Sequence, residues 1–103
     1  MFPALKIGEL TATTPIVQGG MGVGISLSGL ASAVANEGGI GVIAGAMIGM
    51  LEPDVTKDPL GANIRALARE IKKAREKTKG IIGVKIMVAL TSFRDLVRTA
   101  IAN

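Results

Sequence analysis

The chain has 103 residues, 49% of them hydrophobic and 19% charged, which bounds it to one ordinary domain with an aliphatic core and argues against disorder. Cysteine and histidine are both absent, so a disulfide framework, a Cys/His zinc site, a thiol nucleophile and a Ser-His-Asp relay are excluded. The formal net charge of +4 is local, because the segment from Asn63 to Lys79 holds seven Lys/Arg against two Glu, leaving the remainder slightly acidic.

The opening "MFPALKIGEL" has no basic region followed by a long apolar core and does not read as a signal peptide. Within it, "ALKIGELTATT" reads as a small hairpin. Ile16 to Gln18 is a short β-branched run that dissolves into glycine, a strand followed by a loop. Ser26 or Ser28 is placed to cap the next helix, whose apolar face is Leu27, Leu30, Ala31 and Val34, and Gly38–Gly39 ends it. "IGVIAGAM", Ile40 to Met47, reads as a strand buried on both faces.

"EPDVTKDPLGAN" reads as a loop, after which Asn63 caps a long helix with Ile64, Leu67, Ile71 and Ala74 as its buried stripe and Gly80 as its stop. "IIGVKIMVAL", Ile81 to Leu90, is a third apolar strand. Thr91 or Ser92 caps a last helix with Phe93, Leu96, Val97 and Ile101 on one side. Strand–helix alternation with doubly buried strands predicts a parallel sheet, the start of either an open doubly wound sheet or a (β/α)8 barrel. Helices on one side would leave the opposite sheet face apolar and uncovered, which predicts self-association or pairing with a C-terminal remainder.

The longest uncharged apolar stretch, Gly38 to Leu51, is shorter than the ~20 residues of a membrane span. No membrane association is expected, and the absence of cysteine fits a cytoplasmic protein. The cations of the long helix surround its outer part without an interleaved aromatic, so a solvated helix face, with Lys72 able to pair with Glu76, is expected in place of nucleic-acid binding.

The glycines carry the functional question. No G-x-x-x-x-G-K-[ST] occurs, which excludes a P-loop. "GIGVIA", Gly39 to Ala44, matches G-x-G-x-x-[GA] only formally, because its last four residues lie in a strand, whereas the fingerprint opens a helix. "QGGMGVG" differs, since it follows the first strand at the end where parallel α/β folds bind ligands. Gly19, Gly20, Gly22 and Gly24 remove Cβ atoms and offer N–H groups at close range to a flat ligand, and Met21 is adaptable enough to cover its face. A tight strand-to-helix turn needing positive φ is the other reading of the same spacing.

The block Pro15 to Ala44, "PIVQGGMGVGISLSGLASAVANEGGIGVIA", together with "GVKIMVAL", resembles the N-terminal portion of the nitronate monooxygenase family, formerly the 2-nitropropane dioxygenases. "QGGM" and "GV.IM" are shared with the FMN-dependent enoyl-acyl carrier protein reductases of the same superfamily. The resemblance runs from about Leu5 to Asn103. It implies that residues 1–103 are the N-terminal portion of a single FMN-binding TIM-barrel domain: a partial (β/α)8 barrel, about three βα units after a short hairpin. It implies FMN-dependent oxidation of alkyl nitronates, with a small-molecule substrate. The alternatives it leaves are the enoyl-acyl carrier protein reductase, which uses NAD(P)H, and a catalytically silent fragment or remnant that self-associates.

Carried over by position, Gly20, Met21 and Gly22 would contact FMN. Lys85 stands where the family usually has the Asn of "GVNIM", which hydrogen-bonds the flavin. Asn offers donor and acceptor, whereas Lys brings a charge and donors only. A cation at the flavin edge, a displaced ring, or a lysine paired with a carboxylate elsewhere are the three outcomes that follow. The family's catalytic His and phosphate-binding loops lie later in the sequence, so no catalytic residue is assigned here, and no metal site.

Overall fold

A computed structural model describes residues 2–103. It opens with an antiparallel hairpin, β1 (Leu5–Ile7) and β2 (Leu10–Ala12), in which Leu5 faces Ala12 and Ile7 faces Leu10. Gly8, at φ +57°, supplies the left-handed residue that a two-residue hairpin turn requires.

The strand expected at Ile16 to Gln18 is reduced to one parallel bridge. Ile40 N–H donates to Ile16 O at 2.9 Å and Gln18 N–H to Ile40 O at 3.0 Å, and there the backbone ladder stops. Two consecutive glycines follow, with no side chains to pack on a sheet surface. The parallel sheet therefore has two strands, β3 (Ile40–Ala44) and β4 (Ile81–Lys85), with Ile40 opposite Ile81 and Ala44 opposite Lys85. Each is shorter than its apolar run, because the chain turns at Gly45 to Ile48 and again at Met87 to Leu90.

Helix α1 (Ser28–Asn36) ends where expected, with Gly38 at φ +90°. Its other expected features are corrected. Leu27 occupies the N-cap, and no cap comes from the helix's own end, neither from Ser26 nor from Ser28. The buried face is Ser28, Ala31, Ser32 and Ala35, while Leu30 is exposed. Close backbone approach explains the rotation: a Cβ on Gly41 would run into the Ala31 carbonyl, and one on Gly80 would lie 2.5 Å from Ala35 O. Only a face of small side chains fits so tight a contact.

Helix α2 (Pro59–Lys77) starts before Asn63, capped by Asp58, whose Oδ1 accepts the Gly61 N–H, with Pro59 leading the first turn. Asn63 Oδ1 instead accepts the Gly49 N–H at 2.8 Å. Leu67, Ile71 and Ala74 are buried as the pattern predicts, and the helix leaves through extended Thr78 before reaching Gly80. In α3 (Phe93–Ala102), Leu96 is fully buried but Ile101 is 81% exposed, and Ser92 caps without a side-chain hydrogen bond.

The helices and the sheet enclose one core of Ala31, Ile43, Leu67, Ile71, Ala74 and Leu96, flanked by Ile82 and Val84 of β4. On the opposite sheet face Ile40 and Val42 pack with Ala12 of β2, and with Leu5 and Ile81. That face is thus covered by the hairpin at the strand starts and is not bare along its length as expected. Strand alternation puts Ile81, Gly83 and Lys85 on it together. The result is a mixed α/β unit of short strands and three helices, and among the described residues no helix is long and apolar enough to cross a membrane.

Candidate functional site

A cleft of about 270 Å³ opens at the C-terminal ends of β3 and β4. Ala44 and Lys85 come from the last positions of the strands, Gly20, Gly22 and Val23 from the glycine loop, and Ala46 and Met87 from the turns beyond each strand. Of the residues singled out in the sequence, Gly20, Gly22 and Lys85 therefore meet in one cleft. Met21 does not line it. Its side chain is half exposed on the same loop, and Met87 lines the cleft instead.

Lys85 is an exposed side chain whose Nζ donates to Gly20 O at 3.2 Å. No carboxylate pairs with it among the described residues, so of the three outcomes open for this lysine the structure does not take the ion pair. Its aliphatic stem lies on the glycine: a Cβ at position 20 would come within 3.0 Å of Lys85 Cβ and 3.1 Å of Cδ. Gly20 is thus bare because the lysine crosses it. A Cβ at Gly19 or Gly24 would meet no atom within 4 Å, and Gly24 sits at φ +72°, so the turn reading holds at Gly24.

The loop is held by polar contacts that the sequence pattern did not disclose. Gln18 replaces the missing strand with its side chain, Oε1 accepting the Val42 N–H at 3.1 Å and Nε2 donating to Val42 O at 3.0 Å. The same Nε2 lies 3.1 Å from Ser26 Oγ, which accepts the Met21 N–H at 2.9 Å. Ser26 N–H closes back onto Met21 O, and Ser26 O accepts the Ala44 N–H. At the start of α1, the Ser28 N–H donates to Glu70 Oε1 of α2 at 3.0 Å. Burial pushes the Glu70 carboxyl up, but the hydrogen bonds from Ser28 and the charges of Lys73 and Arg69 outweigh it and hold the group below its ordinary range. The signal for Gln18 was a long amide closing a β-branched run before glycine. Nothing local marks Glu70, because its partner is 42 residues away.

A model of the nitronate monooxygenase family matches residues 4–103. The chain belongs to the nitronate monooxygenase family. Family membership makes it part of an oxidoreductase lineage, and the match spans the hairpin, the glycine loop, both parallel strands and α3. No curated protein matches the chain.

Chemically, the cleft's lining is mostly apolar, and Lys85 is the one polar side chain on it. The backbone N–H groups of Gly20 and Gly22 have no partner among the described residues, and the Lys85 ammonium adds a mobile charge. Such a set suits acceptor atoms on a ligand edge. Its volume lies just below the ~300–1,000 Å³ usual for a small-molecule pocket. Three cations of α2 are engaged elsewhere: Arg65 pairs with Asp54 and Arg69 with Glu52 of the preceding loop, while Lys73 faces Glu70. The expected Lys72–Glu76 pair is not formed among the described residues.

Proposed function

We propose that this chain forms one wall of an FMN site in an enzyme that oxidises alkyl nitronates. The observation that carries the reading is the convergence of Gly20, Gly22 and Lys85 at the C-terminal ends of two parallel strands, within a nitronate monooxygenase family chain. FMN, when bound, supplies the electron-accepting ring for that oxidation. The chain's own part is to bind and orient. Gly22 keeps the loop thin, with only ordinary contact to Ala46 behind it. Lys85, freed from Gly20 O, donates to an acceptor on the ring edge and holds positive charge beside it. Met21 reaches the ligand only by turning its flexible side chain across the loop, which a thioether can do at low cost.

The same reading takes residues 1–103 as the N-terminal portion of a single FMN-binding (β/α)8 domain in the cytoplasm. What supports it is the parallel β3–α2–β4 unit and the hairpin packed beneath the strand starts. An apolar groove beside β4, lined by Ile82, Val84, Ile86, Phe93 and Val97, is shaped for another strand–helix unit. Titration of the purified chain with FMN, read by flavin fluorescence, is the test. Saturable quenching that weakens at least tenfold in Lys85→Ala is expected of the chain, and nitronate-dependent oxygen uptake is expected of the complete barrel. Absence of saturable quenching sinks the flavin reading, and NAD(P)H oxidation with an enoyl thioester in place of nitronate turnover reassigns the substrate.

A further inference from the structure

The glycine loop has to hold a defined shape although it lacks the side chains that usually fix one. The chain between Gly20 and Ser26 has no helix or ladder, and its shape is set by two polar side chains at the loop's ends. Gln18 grips both backbone groups of Val42, at 3.1 and 3.0 Å, as a neighbouring strand would. Its amide N–H also reaches the fully buried hydroxyl of Ser26, and that hydroxyl accepts the Met21 N–H. The Met21 carbonyl is taken by the Ser26 N–H, so residue 21 is fastened through both of its backbone groups to residue 26. Ser26 O in turn accepts from Ala44, the last residue of β3 and itself in the cleft.

We infer that Gln18 and Ser26 are positioning residues: acting through Met21 and Ala44, they hold Gly20 and Gly22 at a fixed distance from Lys85 and so set the width of the ligand cleft. The inference rests on the flavin reading for the ligand's identity but not for the loop geometry. The Ser26 hydroxyl that fastens the Met21 N–H is itself fully buried, so on its side of the bond water has little access to replace it. Gln18 supplies a donor and an acceptor on one planar group, which is what pairing with a peptide unit demands. A carboxylate cannot do both.

The test uses the whole chain as Ser26→Ala and Gln18→Glu, with two readouts: amide hydrogen exchange at Met21 compared with Ile43 in β3, and the FMN dissociation constant from flavin fluorescence. Both variants are expected to speed Met21 exchange at least tenfold while leaving Ile43 within about twofold, and to weaken FMN by about tenfold or more. Ser26→Thr, which keeps the hydroxyl, is expected to restore Met21 protection. Unchanged Met21 exchange in Ser26→Ala overturns the positioning role, as does fast exchange with undiminished FMN affinity. A wild-type chain that binds no FMN defeats the flavin reading alone, since the exchange measurement still decides whether these side chains set the loop.

Discussion

Replacing Glu70 isolates an interaction that joins two helices distant in sequence. The carboxylate is 7% exposed, accepts the Ser28 N–H at 3.0 Å, and has Lys73 and Arg69 at 3.8 and 3.9 Å. Ser28 is the first residue of α1, where the leading N–H groups have no intrahelical partner and Leu27 offers no cap. Glu70 therefore acts as the missing cap, delivered from α2. A hydrogen bond to a charged group contributes ~1.5–3 kcal/mol. A negative charge at a helix N-terminus adds ~0.3–1 kcal/mol. Glu70→Ala is thus expected to cost about 2–4 kcal/mol, whereas Glu70→Gln keeps an acceptor and loses the charge, costing about 1–2 kcal/mol. For a chain of this size each kcal/mol moves Tm by ~4–8 °C. The sign with pH follows from the lowered folded-state value: the unfolded carboxyl, near 4.5, takes up its proton first as pH falls. The stabilisation is therefore complete above about pH 4.5 and is lost as pH drops through the folded-state value. Denaturant unfolding of wild type and Glu70→Gln at neutral and acid pH measures this. Equal stability of the two at neutral pH, or the same acid-side loss in both, would falsify the capping role.

Gly41→Ala is expected to cost about 3 kcal/mol or more, because its methyl would meet the Ala31 backbone and not a yielding side chain. Gly29→Ala, in open space on α1, is expected to stabilise by up to ~1 kcal/mol, and chemical denaturation of the pair reads both signs. Leu96→Ala should lose ~2–5 kcal/mol, while Ile101→Ala on the same helix should stay within ~0.5 kcal/mol, judged by the midpoint of thermal unfolding. Lys85→Asn keeps a donor at the cleft and adds an acceptor, so FMN should bind within about threefold of wild type by fluorescence titration. A loss as large as that of Lys85→Ala would mean that the charge, and not the hydrogen bond, recruits the cofactor.

Legibility in the sequence followed the range of the interaction. The hairpin, the Gly38 helix stop and the Leu67–Ile71–Ala74 stripe depend on neighbours within one or two turns, and each was readable from spacing. The caps were not. Ser26, Ser28 and Asn63 have the right chemistry for capping, but each is spent on a tertiary partner: Ser26 on Met21 and Gln18, Ser28 on Glu70, Asn63 on Gly49. Periodicity also misplaced the buried face of α1, because it weights large apolar residues. Burial there is decided by backbone proximity to β3, which favours serine and alanine over Leu30.

The glycines show where such reading stops. Gly20, Gly22 and Gly41 look alike in a one-dimensional pattern, each flanked by apolar residues and other glycines. Gly41 is bare because helix α1 presses its backbone against the strand, Gly20 because Lys85 lies across it, and Gly22 only touches Ala46 at ordinary distance. Helix packing needs the first and the Lys85 stem the second, so a ligand has a claim only on the open side of Gly22 and its neighbours. Alanine at 41 must then damage folding, whereas alanine at 22 must leave stability nearly intact and strike the cleft alone. A Gly22→Ala chain that unfolds as readily as Gly41→Ala would mean that the loop's bareness serves the fold throughout, and that the cleft is a by-product of packing.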